Sequence, residues 1–539
     1  MVVPEQSRWR ARPQVKRLAD AVRPRLTRAA LAAKPRVARW ARAVKPQAKL
    51  VTTVKTWQYT AGAAAVGLVL AAGVVTAAGP WDATGQRTAE RERAAAGPAA
   101  GGTDHGRNSD TSAGTPRPAP SAGSVLTGLG PAAGTAGGVK SAPNGGKTLD
   151  EILDPLLADA GLGDRRGASV VEVATGKPLY GLGSGAALTP ASTTKIATAV
   201  AALSALGADH RLATRAAFEP DTGELVLVGG GDPTLTARED AEGWASLRTL
   251  AEQTAAELKK RKVTEVTLSY DTTLYAGNGL HPIGVNDNLA KVTPLMADEA
   301  RTDDSTSGPA PRHTDPAAEA TRSFAAFLKQ QGITTTAPGP SKATSRADTL
   351  ATVSSPPLST LVERMLTNSD NDIAEALARH TALASGERAD FKGAGTAMKA
   401  QLRKLGLPVT GAVLKDGSGL DRADRLTADL LTALLVKAAD PAHPDLRATL
   451  TGLPVAGFTG TLSTRYTDSG ADGAIDGAAG VVRAKTGTLT GVNTLAGTAV
   501  DARGRLLAFA FLATDTTDPT AAQTALDRTA TALATCACR

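Results

Sequence analysis

Between Trp57 and Trp81 the chain carries no charged residue, and its centre, Thr60 to Ala78, reads TAGAAAVGLVLAAGVVTAA. Nineteen helical residues at ~1.5 Å each reach roughly 28 Å, close to the ~30 Å hydrocarbon core of a bilayer. Ahead of it, residues 1–57 hold 15 Lys and Arg against Glu5 and Asp20, a net charge of +13, so the rest of this +8 chain is mildly acidic. The pI near 9.4 therefore belongs to a basic tail and not to a binding groove. With aromatics at only 3% there are few stacking platforms for single strands, and no nucleic-acid partner is expected. The positive-inside rule puts Arg42, Lys45, Lys49 and Lys55 in the cytoplasm and everything after Pro80 outside. The expectation is a single membrane helix at 58–80, crossing through 60–78, with a disordered cytoplasmic tail at 1–57. A cleaved signal peptide, ending near Ala78, is the open alternative and would release a secreted protein.

From Ala83 to Lys147 there is no aromatic residue, Ile or Met, and Gly, Ala and Pro fill 34 of 65 positions. Such a stretch cannot bury enough apolar surface to offset its ordering entropy, so 81–147 reads as a disordered linker. GGKT at 145–148 lacks the first glycine of a phosphate loop, Ser141 standing in its place, and is rejected. Order is expected from Thr148, which makes a capping box with Glu151. Strands are expected at Ala168–Val173 and Pro178–Gly181, a buried helix runs from Pro190 to Gly207, and a hairpin of Leu495–Val500 with Leu506–Ala513 precedes a helix from Asp518. Strands at both ends with helices between them imply an α+β fold: an antiparallel sheet flanked by helices, built from 148–211 and 349–539, with a large inserted domain at 212–348. Gly229 to Gly231 in that insertion reads as a tight turn.

Ser192 and Lys195 form S-x-x-K on the buried helix, where positions i and i+3 share a face. A serine needs a base to become a nucleophile, and Lys195 can serve only if burial and a second nearby cation lower its pKa. Ser369, Asp370 and Asn371 fall between two expected helices, from which short polar side chains would reach a cleft. Lys485, Thr486 and Gly487 lie on an extended run, where glycine admits a substrate backbone and the Lys and Thr side chains can bind a carboxylate. The six histidines show no metal-ligand spacing and read as surface or capping residues, and Cys536 and Cys538 are expected to form neither a disulfide framework nor a zinc site.

The three motifs, in this order, are those of penicillin-binding proteins and class A β-lactamases. Together with GGGDPTLT at 229–236, DGSGL at 416–420 and AKTGTLTGVNTLAG at 484–497, they resemble the D-alanyl-D-alanine carboxypeptidase/endopeptidase family, the type 4 low-molecular-mass penicillin-binding proteins or peptidase family S13. The likeness covers roughly 149–535. It implies a penicillin-binding/β-lactamase-like domain that cleaves peptidoglycan stem peptides ending in D-Ala-D-Ala and is acylated by β-lactam antibiotics. It further implies that Ser192 is acylated, Lys195 activates it, and Ser369 and Asn371 complete the proton and hydrogen-bond network. Lys485 and Thr486 would hold the terminal carboxylate, and the N–H groups of Ser192 and Thr488 would form the oxyanion hole; no cofactor or metal is required. Two other functions stay open at this point. A β-lactamase would need a deacylating carboxylate, and E-x-x-L-N is missing between Ser369 and Lys485. A β-lactam sensor or wall-binding protein would bind without turnover.

Overall fold

The computed structural model describes residues 146–466 and 477–538. The readings made above for the basic tail, the 58–80 span and all but the end of the linker lie outside them. Among the described residues no helix is long and apolar enough to cross a membrane.

In chain order the principal elements are α1 (Leu149–Leu157), β1 (Arg165–Glu172), β2 (Pro178–Leu182), α2 (Thr194–Leu206), β3 (Ala213–Glu219), β4 (Glu224–Val228), α3 (Leu247–Lys260), β5 (Glu265–Asp271), α4 (Pro316–Gln330), β6 (Thr334–Thr335), β7 (Gly339–Pro340) and β8 (Asp348–Ser354). They continue with α5 (Leu358–Asn368), α6 (Asn371–Ala384), α7 (Phe391–Lys404), α8 (Ala428–Ala439), β9 (Arg483–Leu489), β10 (Val492–Val500), β11 (Leu506–Thr514) and α9 (Pro519–Thr535). The capping box is present at α1: the Thr148 side chain accepts from Glu151 N–H and Glu151 reaches back to Thr148 N–H.

The expected antiparallel sheet is found, in the order β2-β1-β11-β10-β9. Its central strand β11 reads LLAFAFLAT because both of its faces are covered. Phe509 and Phe511, whose rings stack with centroids 5.0 Å apart, point with Ala513 into a core shared with α1 and α9. Ala508, Ala510 and Leu512, on the alternate side, face α2, α5, α6, α7 and α8. The inserted segment makes a second, mixed sheet, β6-β5-β4-β3-β8, in which β4, β5 and β6 run parallel, with its own core around Phe324, Leu250 and Leu268; its edge strand β8 extends to Ser354, past the expected boundary at 348, because it pairs with β3.

Three local expectations need correcting. Gly229–Gly231 is a close crossing of backbones more than a turn: a Cβ on Gly230 would lie 1.9 Å from Ala213 O, and one on Gly229 2.6 Å from Pro294 O. His281 and His380 are buried, not on the surface. Cys536 and Cys538 are brought together, with Cα atoms 5.2 Å apart, within the range that a disulfide spans. The chain leaving α9 at Cys536 is extended, so residues i and i+2 project to one side and can meet.

Candidate active site

Ser192 sits in a short 3-10 turn, Ala191–Thr193, that feeds α2 at Thr194, so the S-x-x-K motif spans the junction and not the helix proper. Ala191, just before the serine, is held at φ 47°. This turn packs against β9 and β10: Thr494 Oγ1 donates to Pro190 O at 2.8 Å. A Cβ on Gly487 would meet Thr494 Oγ1 at 2.1 Å and Pro190 O at 2.8 Å. The glycine of the third motif is therefore required for the strand to lie against the serine's turn, a different reason from admitting a substrate backbone.

Lys195 is completely buried, and its Nζ lies 3.0 Å from Ser192 Oγ, 2.7 Å from Asn371 Oδ1 and 2.7 Å from the Ser418 carbonyl. Burial brings its pKa down to about 8, and the surrounding carboxylates, Asp416 foremost, limit the fall. Asn371 is the first residue of α6 and also donates through Nδ2 to Asn288 O of the inserted domain at 2.8 Å. Ser369 caps α5 in the left-handed region, φ 59°. Ser192, Ser369, Asn371, Thr486 and Thr488 all line one cavity of about 460 Å³. Lys485 is placed otherwise: it is fully buried and not among the residues that line the cavity, and its Nζ donates to the Thr486 carbonyl at 2.8 Å. Burial, with the charge of Lys195 beside it, holds its pKa well below the usual lysine range.

Several residues to which the sequence reading gave no role complete this arrangement. The DGSGL turn was noted only as part of the resemblance, yet Ser418 supplies a carbonyl to Lys195. Its backbone is fixed by Glu375, whose Oε1 accepts from Gly417 and Ser418 N–H at 3.0 Å each. Asp416 accepts from Gly419 and Asp421 N–H and pairs with His281 Nε2 at 2.9 Å. Burial opposes charge on His281, but the hydrogen bond and charge of Asp416 outweigh it and raise the imidazole pKa. A second buried cluster joins Asp370 and Asp372 to Glu299, with Arg301, Arg312 and Arg364 around them. The ligand atoms of His281, Glu375 and Asp416, and those of Glu299, Asp370 and Asp372, lie within 4.8 Å of one another, close enough to hold an ion. In both clusters, however, the carboxylates already hold backbone N–H groups or charged side chains, which makes them struts for the loops around Lys195 and Asn371.

A hydroxyl in hydrogen-bond reach of a buried, weakly basic amine, at the wall of a cavity and beside the outermost strand of a sheet, is the apparatus of acyl transfer through a serine. Carboxypeptidase Rv3627c from Mycobacterium tuberculosis is 36% identical over 435 residues, 78% of this chain and 90% of its own. Carboxypeptidase DacB from Mycolicibacterium smegmatis is 36% identical over 399 residues, 72% of this chain and 84% of its own. The crystal structure of penicillin binding protein 4 from Haemophilus influenzae superposes with a TM-score of 0.58 at 22% identity, covering 71% of this chain and 98% of that one, and so shares the fold. The model of the D-Ala-D-Ala carboxypeptidase 3 (S13) family matches residues 149–302 and 302–533, and the chain belongs to that family.

Proposed function

We propose that the protein is a serine D,D-carboxypeptidase that cuts the terminal D-Ala-D-Ala bond of peptidoglycan stem peptides, and the D-Ala bond of their cross-links, through an acyl-enzyme on Ser192. The observation that carries the reading is the contact of the fully buried Lys195, through Nζ, with Ser192 Oγ at 3.0 Å on the cavity wall. Neutral Lys195 takes the serine proton as Oγ attacks the carbonyl of the penultimate D-Ala. The N–H groups of Ser192 and Thr488 are the donors for the resulting oxyanion, each worth ~3 kcal/mol in such sites. The intermediate collapses with the proton delivered to the departing amine, either free D-Ala or the cross-linking amine of a second stem. Water then hydrolyses the ester, its proton passing to Lys195 and Ser369 while Asn371 Oδ1 holds the Lys195 amine in place. A β-lactam mimics the substrate but keeps its leaving group tethered, which leaves Ser192 acylated.

β9 is the outermost strand of its sheet, so its free edge, with Thr486 and Thr488, can receive the stem as an added strand. The residues of β9 thus serve as the substrate-binding side, with Gly487 allowing the strand to meet the nucleophile's turn. Export and membrane attachment through 60–78 belong to this proposal; the +13 tail and the charge-free span support them.

A fluorescent penicillin label followed by turnover of a D-Ala-D-Ala peptide tests the reading. Labelling with turnover is expected. Labelling without turnover would make the protein a sensor, and rapid loss of the label a β-lactamase.

A further inference from the structure

A carboxypeptidase must hold an anionic C-terminus one residue beyond the scissile bond, yet Lys485 is fully buried, is not among the residues that line the cavity, and turns its Nζ to the Thr486 carbonyl. On the β9 side the cavity is lined by Thr461, Arg465, Thr486, Thr488 and Gln523. Thr461 Oγ1 and Thr486 Oγ1 are 2.8 Å apart, so the turn at 460–462 brings a second hydroxyl beside the strand. Arg465, which follows that turn, engages Asp527 of α9 along one edge of its guanidinium: Nε to Oδ2 at 2.9 Å and Nη2 to Oδ1 at 2.5 Å. Asp527 is itself 5% exposed and belongs to a helix packed on the sheet core, which gives the guanidinium a rigid mount. Of the fork's five donors, the two on Nη1 are not used by Asp527, and a planar guanidinium can accept a carboxylate on each edge.

We propose that Arg465, mounted on Asp527, is the specificity-determining residue that receives the terminal carboxylate of the substrate, together with the hydroxyls of Thr461 and Thr486. The assignment fits the chemistry of an exopeptidase: a fixed cation at the end of the cleft rewards a substrate that ends there. Arg301 and Arg312 also line the cavity, but Glu299 and Asp372 hold them on the Asn371 side. The proposal rests on the acyl-enzyme reading given above.

The test compares an acylated Lys-D-Ala-D-Ala peptide with the same peptide as its C-terminal amide, following release of D-Ala or D-Ala amide by wild type, Arg465→Gln, Arg465→Lys and Asp527→Asn. Arg465→Gln should lower kcat/KM for the acid roughly ten- to a hundredfold, the range of a charge-assisted hydrogen bond in a buried site, and leave the amide nearly unchanged. Asp527→Asn, which keeps the cation but loosens its mount, should lower the acid-to-amide preference less than Arg465→Gln does. If Arg465→Gln does not fold, the preference in Arg465→Lys decides: a drop of several-fold supports the assignment, and an unchanged ratio overturns it. Equal loss on both peptides, or no loss on either, also overturns it. Failure of the wild type to cleave either peptide or to take a penicillin label would instead sink the acyl-enzyme reading, so the two failures cannot be confused.

Discussion

Arg312 Nη1, from the inserted segment, lies 2.9 Å from Asp372 Oδ2 in the first turn of α6, and both side chains are at most 5% exposed. Asp372 Oδ1 accepts from Ala290 N–H at 3.0 Å, and Asn371 donates to Asn288 O, so the inserted segment holds the last residue of the second motif and its neighbour by three contacts. Burial raises the Asp372 pKa to about 6 even against the charge of Arg312. Arg312→Ala should therefore destabilise the protein by about 3 to 5 kcal/mol, the usual cost of leaving a buried charge unpaired. Asp372→Asn added to it should recover part of that loss. Urea unfolding of the three proteins checks this; a single variant as stable as wild type would show the pair to be incidental.

Ser192→Ala should abolish penicillin labelling and peptide cleavage together, without moving the unfolding midpoint, because it removes one hydroxyl from a cavity wall. Labelling retained in the purified variant would mean that another nucleophile exists.

The pH dependence of acylation follows from Lys195. Its amine accepts the Ser192 proton only when neutral, and its pKa stands at about 8. The second-order rate of penicillin acylation should rise with pH through about 8 and level off above it. A profile flat from pH 6 to 9 would show that Lys195 is not the titrating base.

Full-length protein should resist carbonate extraction from membranes, and protease added outside wall-stripped cells should cut between Ala83 and Lys147. A stretch of that composition has no core to shield its backbone. The released fragment should begin near Thr148 and remain active. An isolated N-terminus just after Ala78 would favour the secreted alternative, and digestion of the basic tail from outside would invert the topology.

The elements themselves were legible in the sequence because their signals are local. Thr148 and Glu151 cap a helix whichever fold surrounds them. The two-faced apolar run of β11 announces a strand buried on both sides, and the spacing of Ser192 and Lys195 puts a hydroxyl and an amine on one face. Chain order also carried the fold class, since strands at both ends of the body can pair only by closing over the middle. What the sequence could not carry depends on groups far apart in it. The environment of Lys195 is set by Asn371 and by the carbonyl of Ser418, the latter 223 positions away. His281 appeared to be a lone polar residue, and only packing against Asp416 makes it a buried strut. The reason for Gly487 is Thr494 and Pro190 at its flank. Lys485 read as a carboxylate ligand because a cation beside a threonine suggests one; burial disfavours its charge and turns its amine to a backbone carbonyl, while Arg465, which no motif marked, lines the cavity. Residue type and spacing fix which chemistry is available, and desolvation and contact in the folded protein decide which group performs it.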